Sequence, residues 1–537
     1  MENKPILLIG FYNTKALGVR FLERSLIKSG FTVYTLFLKE FNSIRPEEVT
    51  DTELQLVKKL VAELDPGLIG LSVMSSLYIE NVIKVNDLLR SAFSIPIVWG
   101  GVFATLFPDK ALHHADFVLR GEGEDALVEL AGAILGGKYY KDIKNLAFVE
   151  PVYEAPPLVD RKYMGASGGI NPSGTIVINE LHPLNETLDT YSYPIIGLKN
   201  KFLINNNRLI NEDPLTRSIS YETLASRGCP FACSYCSSVN LRRLYSGKGK
   251  YVRYRSVESV IGELEEALVH MKWLKVIRFW DEIFPDEKDW IDKFAYEYKT
   301  NIRLPFEIWG HPLKTDAYAV GKLAEAGLYK VVMGIQSGSA SIRKDIFHRS
   351  ETQENILNAA GVLSELKVPH IVYDFMLRHP FETEEDIRET YELCSKLTKP
   401  FELQLHGLYF LPGTDIIKIA VKKGIADPAL PGEGCRASLG EQYKAYWKSD
   451  CNINMVNFWY SLIYISQFKT GALLAEYFSK KTSSKFITNI ATKLPMAYYP
   501  EAKIRYLRKK AILVIRAYAA KIGLKMSKES MLQLSRQ

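Results

Sequence analysis

Short apolar runs alternate with amphipathic stretches over two long segments of this sequence, residues 5–135 and 221–409. Short apolar runs are typical of buried strands, and helical spacing of apolar positions is typical of the helices between them. Strands that alternate with helices favour parallel sheets, because parallel neighbours need a crossover connection. The sequence therefore predicts an α/β protein.

The first segment predicts a doubly wound, Rossmann-like parallel sheet. Its apolar runs predict strands over Pro5–Gly10, Thr32–Leu38, Leu68–Val73, Ile95–Trp99 and Phe117–Leu119. Its amphipathic stretches predict helices over Gly18–Ser29, Thr52–Leu64, Ile79–Ala92 and Glu124–Leu135. Sheets of this kind bind ligands outside the carboxyl ends of their strands, so the residues that follow each strand are candidates for a site.

The second segment predicts a partial (β/α)6 barrel of the TIM type. Six strands are predicted over Tyr221–Ser226, Lys275–Trp280, Phe306–Trp309, Tyr329–Gly334, His370–Leu377 and Leu403–Tyr409. The helices between them are predicted over Val257–Met271, Glu287–Tyr298, Tyr318–Ala326, Thr352–Leu366 and Glu384–Leu397. Six strands are fewer than the eight of a closed barrel, so we expect the barrel to be open.

The rest of the sequence sets the domain boundaries, since 537 residues are too many for one hydrophobic core. Pro, Gly and Asn are frequent between the two segments and predict an irregular linker that could hold one hairpin. Aromatic-rich helical patterns follow the barrel. We predict a Rossmann-like domain over residues 1–140, the linker over 141–215, the barrel over 216–425 and a helical C-terminal domain over 426–537.

Composition narrows the classes of function. Apolar residues make up 47% and charged residues 24% of the chain, as in ordinary globular proteins. The net charge of +7 is small for this length, so no nucleic-acid partner is expected. The N-terminus lacks the layout of a signal peptide, and no apolar run approaches the ~20 residues that span a bilayer. We expect a cytoplasmic protein.

Three of the six cysteines lie in one loop after the first barrel strand, as Cys229, Cys233 and Cys236. A cubane iron–sulfur cluster normally takes four thiolates, so the spacing CxxxCxxC would leave one iron without a protein ligand. An iron of this kind can chelate a substrate or a cofactor. Two alternatives are three buried thiols and a zinc site, although zinc usually takes four ligands in CxxC pairs and no second pair exists.

This loop resembles the radical S-adenosylmethionine (SAM) superfamily, whose motif CxxxCx(aromatic)C has Tyr235 at its aromatic position. The resemblance implies a [4Fe–4S] cluster on the three cysteines and SAM on the open iron. Asp281 and Glu282 end the second barrel strand, where members of the superfamily bind the amino group of SAM. We expect these residues to contact the cofactor.

Two further stretches resemble the superfamily and also depart from it. Gly334–Ser339 resembles Gly-Ile-Glu-Ser-Gly, with Gln336 in place of Glu and followed by Ser337. Both residues are expected to contact SAM. Phe381-Glu382-Thr383 resembles the end of Pro-Gly-Glu-Thr, but Arg378-His379-Pro380 precedes it where Gly is common. This departure could reflect the particular substrate.

The first domain resembles the cobalamin-binding domains that are fused to radical SAM barrels. The order Gly-Gly, Ala-Asp, Gly-Glu-Gly-Glu recurs at Gly100-Gly101, Ala115-Asp116 and Gly121–Glu124. The signature of domains that place a histidine on cobalt, Asp-x-His-x-x-Gly, is absent. The residues expected to line a cobalamin crevice follow the third, fourth and fifth strands: Ser72, Met74, Ser75, Gly100, Gly101, Gly121 and Glu122.

The two resemblances together imply a cobalamin-dependent radical SAM enzyme. The family's chemistry implies a methyltransferase that acts on an unactivated carbon through a 5′-deoxyadenosyl radical and methylcobalamin, with an external electron donor such as flavodoxin or ferredoxin. One alternative is a radical reaction without methylation, namely cyclisation, ring contraction or carbon–carbon coupling. A non-catalytic cobalamin sensor is the other. No catalytic residue is assigned from the sequence.

The remaining candidates lie near the C-terminus. Cys394, Cys435 and Cys451 are far apart in sequence and are expected to be free thiols. Residues 501–525 hold eight Lys or Arg and one Glu around the apolar run Ala511–Ile515. A basic amphipathic helix can lie on an anionic membrane. Such a location would suit a lipid-like substrate; a small-molecule substrate is the other expectation. A helix docked on the barrel with a solvated basic face is the alternative.

Overall fold

A computed structural model describes residues 4–40, 47–151, 174–197, 199–426 and 453–521. The chain forms two compact units. The first unit consists of Met1–Ser218, Asn240–Arg253 and Gly262–Trp273. The second consists of Ile219–Val239, Tyr254–Ile261 and Leu274–Gln537.

The first unit is built on one nine-stranded sheet with the strand order β7-β6-β5-β4-β3-β1-β2-β8-β9. The strands β1 to β5 are parallel and cover Ile6–Phe11, Val33–Leu38, Leu68–Ser72, Ile97–Gly100 and Phe117–Leu119. The helices α1 to α6 cover Leu17–Lys28, Asp51–Leu64, Ile79–Ala92, Val102–Leu106, Pro108–Leu112 and Glu124–Gly136. The predicted Rossmann-like sheet is confirmed.

Helices cover this sheet on both faces, and its central strands carry apolar residues on both faces. In β1, Leu7 and Ile9 belong to one hydrophobic core, while Ile6 and Leu8 belong to a second. Side chains alternate between the two faces of a strand. A strand buried on both faces therefore reads as a continuous apolar run, which is why the sequence showed this sheet clearly.

The region predicted as an irregular linker with room for one hairpin, residues 141–215, supplies four strands to this sheet, so the prediction misses the strands beyond that hairpin. These strands are β6 to β9 and cover Leu146–Pro151, Gly174–Ile178, Lys201–Asn205 and Arg208–Ile210. Strand β8 pairs in parallel with β2, and β9 returns after Asn206 and Asn207, which both have positive φ (51° and 59°). Asparagine tolerates this conformation in hairpin turns. The polar residues that indicated a linker include those of this turn.

A buried ion network holds β8 in place. Lys201 lies 2.9 Å from Glu23 of α1 and 3.7 Å from Asp213, and Arg20 lies 2.8 Å from Asp213. All four side chains are almost completely buried. Removing one partner of such a network leaves a buried charge uncompensated, which is strongly destabilising. The network therefore specifies where the added strand pairs.

The second unit contains six parallel strands in the order β10-β13-β14-β15-β16-β17. The strands cover Ser220–Thr223, Val276–Phe279, Phe306–Gly310, Leu328–Gln336, His370–Leu377 and Glu402–Gly407. A separate two-stranded sheet pairs β11 (Ser226–Arg227) with β12 (Arg253–Tyr254). The predicted partial barrel is confirmed, and its sheet is open between β10 and β17.

Helices accompany the barrel strands and continue after them. Helices α7 to α13 cover Ser237–Leu244, Val257–His270, Lys288–Glu297, Ala317–Ala326, Gln353–Glu365, Glu384–Lys396 and Asp415–Lys422. Helices α14 to α17 cover Ile453–Ile465, Lys469–Ser479, Lys485–Ala491 and Leu494–Lys521. These last four cluster with the barrel in the second unit. Within the described ranges, no helix has both the length and the apolarity needed to cross a bilayer.

Candidate functional site

The segment that leads into the cysteine loop is hydrogen-bonded to a buried carboxylate, that of Asp281. Oδ1 of Asp281 accepts hydrogen bonds from the backbone N–H of Ala225 (2.9 Å) and from the Ser226 hydroxyl (2.5 Å). Asp281 is buried, and burial raises its pKa to about 7. The predicted SAM ligand Asp281 thus joins the end of β13 to the chain that leads into the loop. Its Oδ2 has no hydrogen-bond partner.

Backbone and hydroxyl hydrogen bonds fix the middle of the loop. The Ser234 N–H donates to the carbonyl of Phe347 (3.0 Å), and its hydroxyl donates to the carbonyl of Ile346 (2.5 Å). The N–H of Ile416, in α13, donates to the Ser234 carbonyl (2.9 Å). Ser234 lies between Cys233 and Cys236, so its contacts hold both cysteines against the barrel.

The three cysteines are free and partly exposed. Burial raises the pKa of Cys236 to about 11 and that of Cys229 to about 12. Thiols must lose their protons to bind a metal. In the part of the chain that the structure describes, no three Cys, His, Asp or Glu side chains converge closely enough to hold a single metal ion. A cubane cluster binds each thiolate at a different iron, so its ligands need not converge.

A buried arginine that the sequence analysis did not identify lies beside the loop. Arg349 donates to the Tyr235 hydroxyl (3.1 Å) and to the carbonyl of Gly334 (2.7 Å), and its Nη1 lies 3.9 Å from Sγ of Cys233. It also pairs with Glu351, whose side chain is completely buried. The arginine therefore links the cysteine loop to the end of β15. A buried Arg-x-Glu pair in a loop is the signal that could have identified it.

Tyr235 occupies the aromatic position of the motif and is partly buried against the barrel core. Its ring packs edge-on against Phe347, with ring centroids 5.2 Å apart. Burial raises the pKa of its hydroxyl well above the ordinary value, so the hydroxyl stays neutral. The contacts of Tyr235 place it as a support of the loop rather than as an exposed surface for a ligand.

Glu282 lies close enough to the thiols of the loop for its charge to act on them. Its side chain is accessible to solvent, yet burial raises its pKa, which is typical of a carboxylate in the wall of a concavity. Its negative charge also contributes to the raised pKa of Cys229 and Cys236. Of the two acidic residues predicted to bind SAM, Glu282 is therefore the exposed one, and its carboxylate also forms a hydrogen bond with Ser238.

The end of β15 holds a strained polar residue. Gln336 has φ +71°, is 8% exposed, and its Oε1 has no hydrogen-bond partner. Positive φ is costly in a non-glycine residue and is concentrated at functional sites. Ser337 is completely buried, and its hydroxyl accepts from the N–H of Ser339 (3.2 Å). The amide oxygen of Gln336 is thus an acceptor without a hydrogen bond, whereas the hydroxyl of Ser337 is used in a hydrogen bond within the chain.

His311 supports the loop from β14. Its ring stacks on Phe231 of the cysteine loop at 3.7 Å, and its Nδ1 accepts from the N–H of Leu313 (3.2 Å). Burial, with Arg349 nearby, lowers its pKa to about 2, so the ring is neutral near pH 7. These contacts assign His311 a structural role in support of the loop.

A polar pair lies on the inner face of the barrel sheet, near the carboxyl ends of β16 and β17. Tyr373 and Phe375 are completely buried, so Asp374 between them points to the opposite, inner face. Asp374 lies 3.1 Å from Nε2 of His406, and Gln404 lies 2.8 Å from the same nitrogen. The contact with Asp374 raises the pKa of His406. The sequence analysis did not identify these residues.

The carboxyl ends of β3, β4 and β5 lie side by side in the first unit. Ser72 pairs in register with Gly100, and the N–H of Val73 donates to the Gly100 carbonyl (2.7 Å). Met74 follows β3 and is 53% exposed, while the Ser75 hydroxyl accepts from the N–H of Leu77 (3.2 Å). The structure brings the predicted crevice residues together at one edge of the sheet.

The three predicted glycines at this edge, Gly100, Gly101 and Gly121, differ in how closely other atoms approach them. At Gly101 (φ +98°) a Cβ would lie 2.7 Å from the carbonyl oxygen of Val73, and at Gly121 (φ +74°) it would lie 1.9 Å from the Tyr245 hydroxyl. These two glycines permit close packing within the unit. At Gly100 the nearest atom would be 4.0 Å away, so only this one of the three leaves open space beside its backbone.

Glu122 is held inside the first unit. Its carboxylate pairs with Arg253 (3.1 Å), and its N–H donates to the Tyr245 hydroxyl (2.7 Å). The amide of Asn145 donates to its carbonyl (2.7 Å). These contacts anchor the loop after β5, so Glu122 shapes the crevice through the loop that carries it.

Comparison with known families identifies both regions. The model of the radical SAM superfamily matches residues 223–394, and the model of the B12 binding domain matches residues 10–131. The first match contains the cysteine loop and the Gln336 strand end. The second contains all the crevice residues.

Two curated relatives match most of the chain. An uncharacterised methyltransferase of Pyrococcus horikoshii is 25% identical over 64% of this chain and 66% of its own length. An anaerobic magnesium-protoporphyrin IX monomethyl ester cyclase of Cereibacter sphaeroides is 24% identical over 70% of this chain and 55% of its own length. The chain thus spans less than two thirds of the length of these relatives.

Two solved structures share the fold. The radical SAM methyltransferase TsrM of Kitasatospora setae, with tryptophan and a SAM analogue bound, has a TM-score of 0.60 at 18% identity, over 83% of this chain and 84% of that one. The cobalamin-dependent radical SAM enzyme OxsB, with aqua-cobalamin bound, has a TM-score of 0.64 at 13% identity, over 99% and 83%. In sequence order, the chain thus carries a match to the B12 binding domain ahead of a match to the radical SAM superfamily, and it shares the fold of a cobalamin-dependent radical SAM enzyme.

Proposed function

We propose that this protein is a cobalamin-dependent radical SAM methyltransferase that methylates an unactivated carbon. The observation that carries the proposal is the combination, in one chain, of a three-cysteine loop with a B12-binding domain. The methyltransferases among the similar proteins support methyl transfer over other radical reactions.

The cysteine loop fits a [4Fe–4S] cluster with one open iron. Three free thiols are presented on a loop that Ser234 fixes, and none of them is committed to a disulfide. At the ends of two barrel strands, Glu282 offers an exposed carboxylate and Gln336 an unpartnered amide oxygen. These two groups would bind the ammonium and hydroxyl groups of SAM. Arg349, Tyr235 and Asp281 would stabilise the conformation of the cysteine loop.

The crevice after β3, β4 and β5 fits a large flat ligand. Open space beside Gly100 and the exposed side chain of Met74 supply a floor without charge. The two neighbouring histidines, His113 and His114, precede β5 and lie at its amino end. A histidine there is at the opposite edge of the sheet, so we expect cobalamin to bind without a histidine on cobalt.

When bound, the cluster with SAM would supply one-electron chemistry and cobalamin would supply the methyl group. The chain's own residues bind and orient. On the inner face of the barrel, Asp374 and His406 lie 3.1 Å apart and can together fix a polar group of the substrate. We propose a small-molecule or lipid-like substrate, a cytoplasmic location and an external electron donor such as flavodoxin or ferredoxin.

A second candidate is the same architecture without methyl transfer. The relative that supports it is the ester cyclase, which matches a larger share of this chain than the P. horikoshii methyltransferase does. Its reaction class is a ring closure, which leaves no new methyl group in the product.

The two candidates are separated by isotope labelling. The protein is reconstituted anaerobically with iron, sulfide and cobalamin, and incubated with a reductant, candidate substrates and SAM that carries a deuterated methyl group. Methyl transfer predicts a product heavier by one labelled methyl group. A product that lacks the label, formed at the same rate with and without cobalamin, would contradict the methyltransferase proposal.

A further inference from the structure

The C-terminal helices α15, α16 and α17 surround one apolar helix. Helix α14 contains Phe458, Leu462, Ile463 and Ile465, all completely buried, and it packs against α12 on the barrel side. Helices α15, α16 and α17 each contact α14 as well. Each of these three helices therefore has an inward face toward the barrel or α14 and an outward face.

The inward face of α17 is fixed by polar and aromatic contacts. Tyr498 stacks on Phe468 at 4.9 Å, and the guanidinium of Arg505 lies 4.5 Å above the same ring. Lys509 lies 2.6 Å from Glu402 of β17. At 100° per residue these three positions of α17 share one side of the helix. The basic residues Arg505 and Lys509 are thus turned toward the protein.

The opposite side of α17 exposes large apolar side chains. Met496 is 80% exposed, Tyr499 65%, Leu507 53% and Val514 38%. Their spacing of three, seven or eight residues places them on one stripe. Lys503 and Lys510 are exposed on the same stripe. A stripe that mixes large apolar groups with lysines is unusual for a helix that faces only water.

Helices α15 and α16 carry the same pattern. In α15, Leu473 is 69% and Tyr477 54% exposed, one turn apart. In α16, Phe486 is 74% and Ile490 41% exposed, also one turn apart. Exposed apolar residues that occur singly are normal, but a concentration on three consecutive helices marks an interaction surface.

The charge of this segment is one-sided. Residues 469–515 contain ten Lys or Arg and two Glu. Both glutamates are already paired, Glu476 with Lys480 (2.8 Å) and Glu501 with Arg505 (2.7 Å). The lysines that remain exposed beside the apolar groups are Lys469, Lys481, Lys485, Lys493, Lys503 and Lys510.

We propose that the outward face of α15, α16 and α17, residues 469–515, docks on the surface of an anionic lipid bilayer. Apolar side chains would enter the headgroup boundary, and lysines would reach the lipid phosphates with their long stems along the apolar groups. A polyanion in water, such as RNA, would use the lysines but would leave Phe486 and Met496 exposed. The mixture of the two residue classes favours the bilayer.

This surface differs from the one that the sequence suggested, residues 501–525. Arg505 and Lys509 of that segment face the protein, which makes the docked-helix alternative right for one side of α17. Residues 522–537 lie outside the described residues, as do Cys435 and Cys451. The apolar groups that the sequence analysis did not count lie in α15 and α16.

Vesicle co-sedimentation of the full-length protein, without added cofactors, tests the proposal independently of the reaction. We expect binding to phosphatidylcholine vesicles that contain phosphatidylglycerol, little binding to pure phosphatidylcholine, and a fall in binding as salt rises. Phe486→Asp with Met496→Asp should weaken binding at least tenfold, and so should Lys503→Glu with Lys510→Glu. The matched controls are Tyr296→Asp, at a tyrosine 69% exposed on α9, and Lys58→Glu on α2.

Several results would overturn the proposal. One is the absence of sedimentation with either vesicle at low salt. A second is equal loss of binding in the controls, which would indicate a general effect of added negative charge. A third is binding that depends on Lys503 and Lys510 but not on Phe486 and Met496, and that heparin in solution abolishes. That last pattern would assign the surface to a soluble polyanion.

Discussion

The barrel site and the crevice of the first unit both form where parallel strands end. They differ in whether side chains or backbone determine their shape. The barrel site is held by buried side chains, among them Asp281, Arg349 and Glu351. The crevice is shaped by backbone and by glycines such as Gly100 and Gly101. A small reactive centre needs ligands at fixed positions, whereas a large flat ligand needs room. The predictions below test this difference.

The largest effect is expected at the cysteine loop. Cys233→Ala should abolish binding of the iron–sulfur cluster, because two thiolates remain for a cluster that uses three, and should abolish SAM cleavage with it. Cys394→Ala is the matched control, since Cys394 is a free thiol buried in α12. Iron content and 5′-deoxyadenosine formation measure both variants. Equal iron loss in the two variants would remove the special role of the loop.

The next effect concerns the ion pair beside the loop. Arg349→Gln leaves Glu351 buried without its cation, which should lower the free energy of unfolding by about 3 kcal/mol. Arg388→Gln is the control, because Arg388 pairs with Glu385 on the exposed surface of α12 and should change stability by less than about 1 kcal/mol. Urea unfolding measures both. Similar small changes would show that the arginine does not hold the site together.

A pH effect of intermediate size is expected at Glu382. Burial raises its pKa to about 8, and its carboxyl accepts hydrogen bonds from the Tyr460 hydroxyl (2.7 Å) and the N–H of Arg378 (3.0 Å). The folded state therefore holds a proton that the unfolded chain releases at lower pH. The contribution of Glu382 to stability should be greatest below pH ~4.5 and should fall by roughly 4 kcal/mol as the pH rises to about 8.

Glu382→Gln should remove this fall, because the amide stays neutral throughout the range. Glu385→Gln, at an exposed carboxylate in the first turn of the following helix α12, should keep it. Urea unfolding at several pH values between 5 and 8 gives the comparison. A slope that survives in Glu382→Gln would place the titrating group elsewhere.

The smallest effects separate two adjacent glycines in the crevice. Gly101→Ala should lower stability by about 1–2 kcal/mol, since it combines positive φ with a clash against the Val73 backbone. Gly100→Ala should leave stability within about 0.5 kcal/mol of the wild type but weaken cobalamin binding, because its methyl group enters open space. Thermal unfolding and absorbance titration with cobalamin separate the two effects. The reverse pattern would contradict the assigned roles.

The sequence predicted the elements whose apolar pattern is local. Strand β16 was predicted at His370–Leu377 and helix α3 at Ile79–Ala92, with the bounds that the structure gives. The cysteine loop was equally readable, because its three cysteines lie within eight residues. In each case the information needed was contained in one short stretch of chain.

Features that depend on distant partners could not be predicted in this way. Strand β8 is short, and the turn that follows it is polar. It forms because it pairs with β2 and because its Lys201 forms an ion pair with the buried Glu23. Arg349 is far in sequence from Tyr235, which it contacts. The sequence also could not show that Gly121 makes room for Tyr245 and not for a ligand. Pairing, burial and close approach are properties of the folded chain.

The central claim is that the cysteine loop and the cobalamin domain serve one reaction. It is tested most directly by incubating the anaerobically reconstituted enzyme with a substrate deuterated at the candidate carbon, with and without cobalamin. The account predicts deuterium in 5′-deoxyadenosine and, only with cobalamin, a product heavier by a methyl group. Deuterium transfer with no methylated product under any condition would contradict the account.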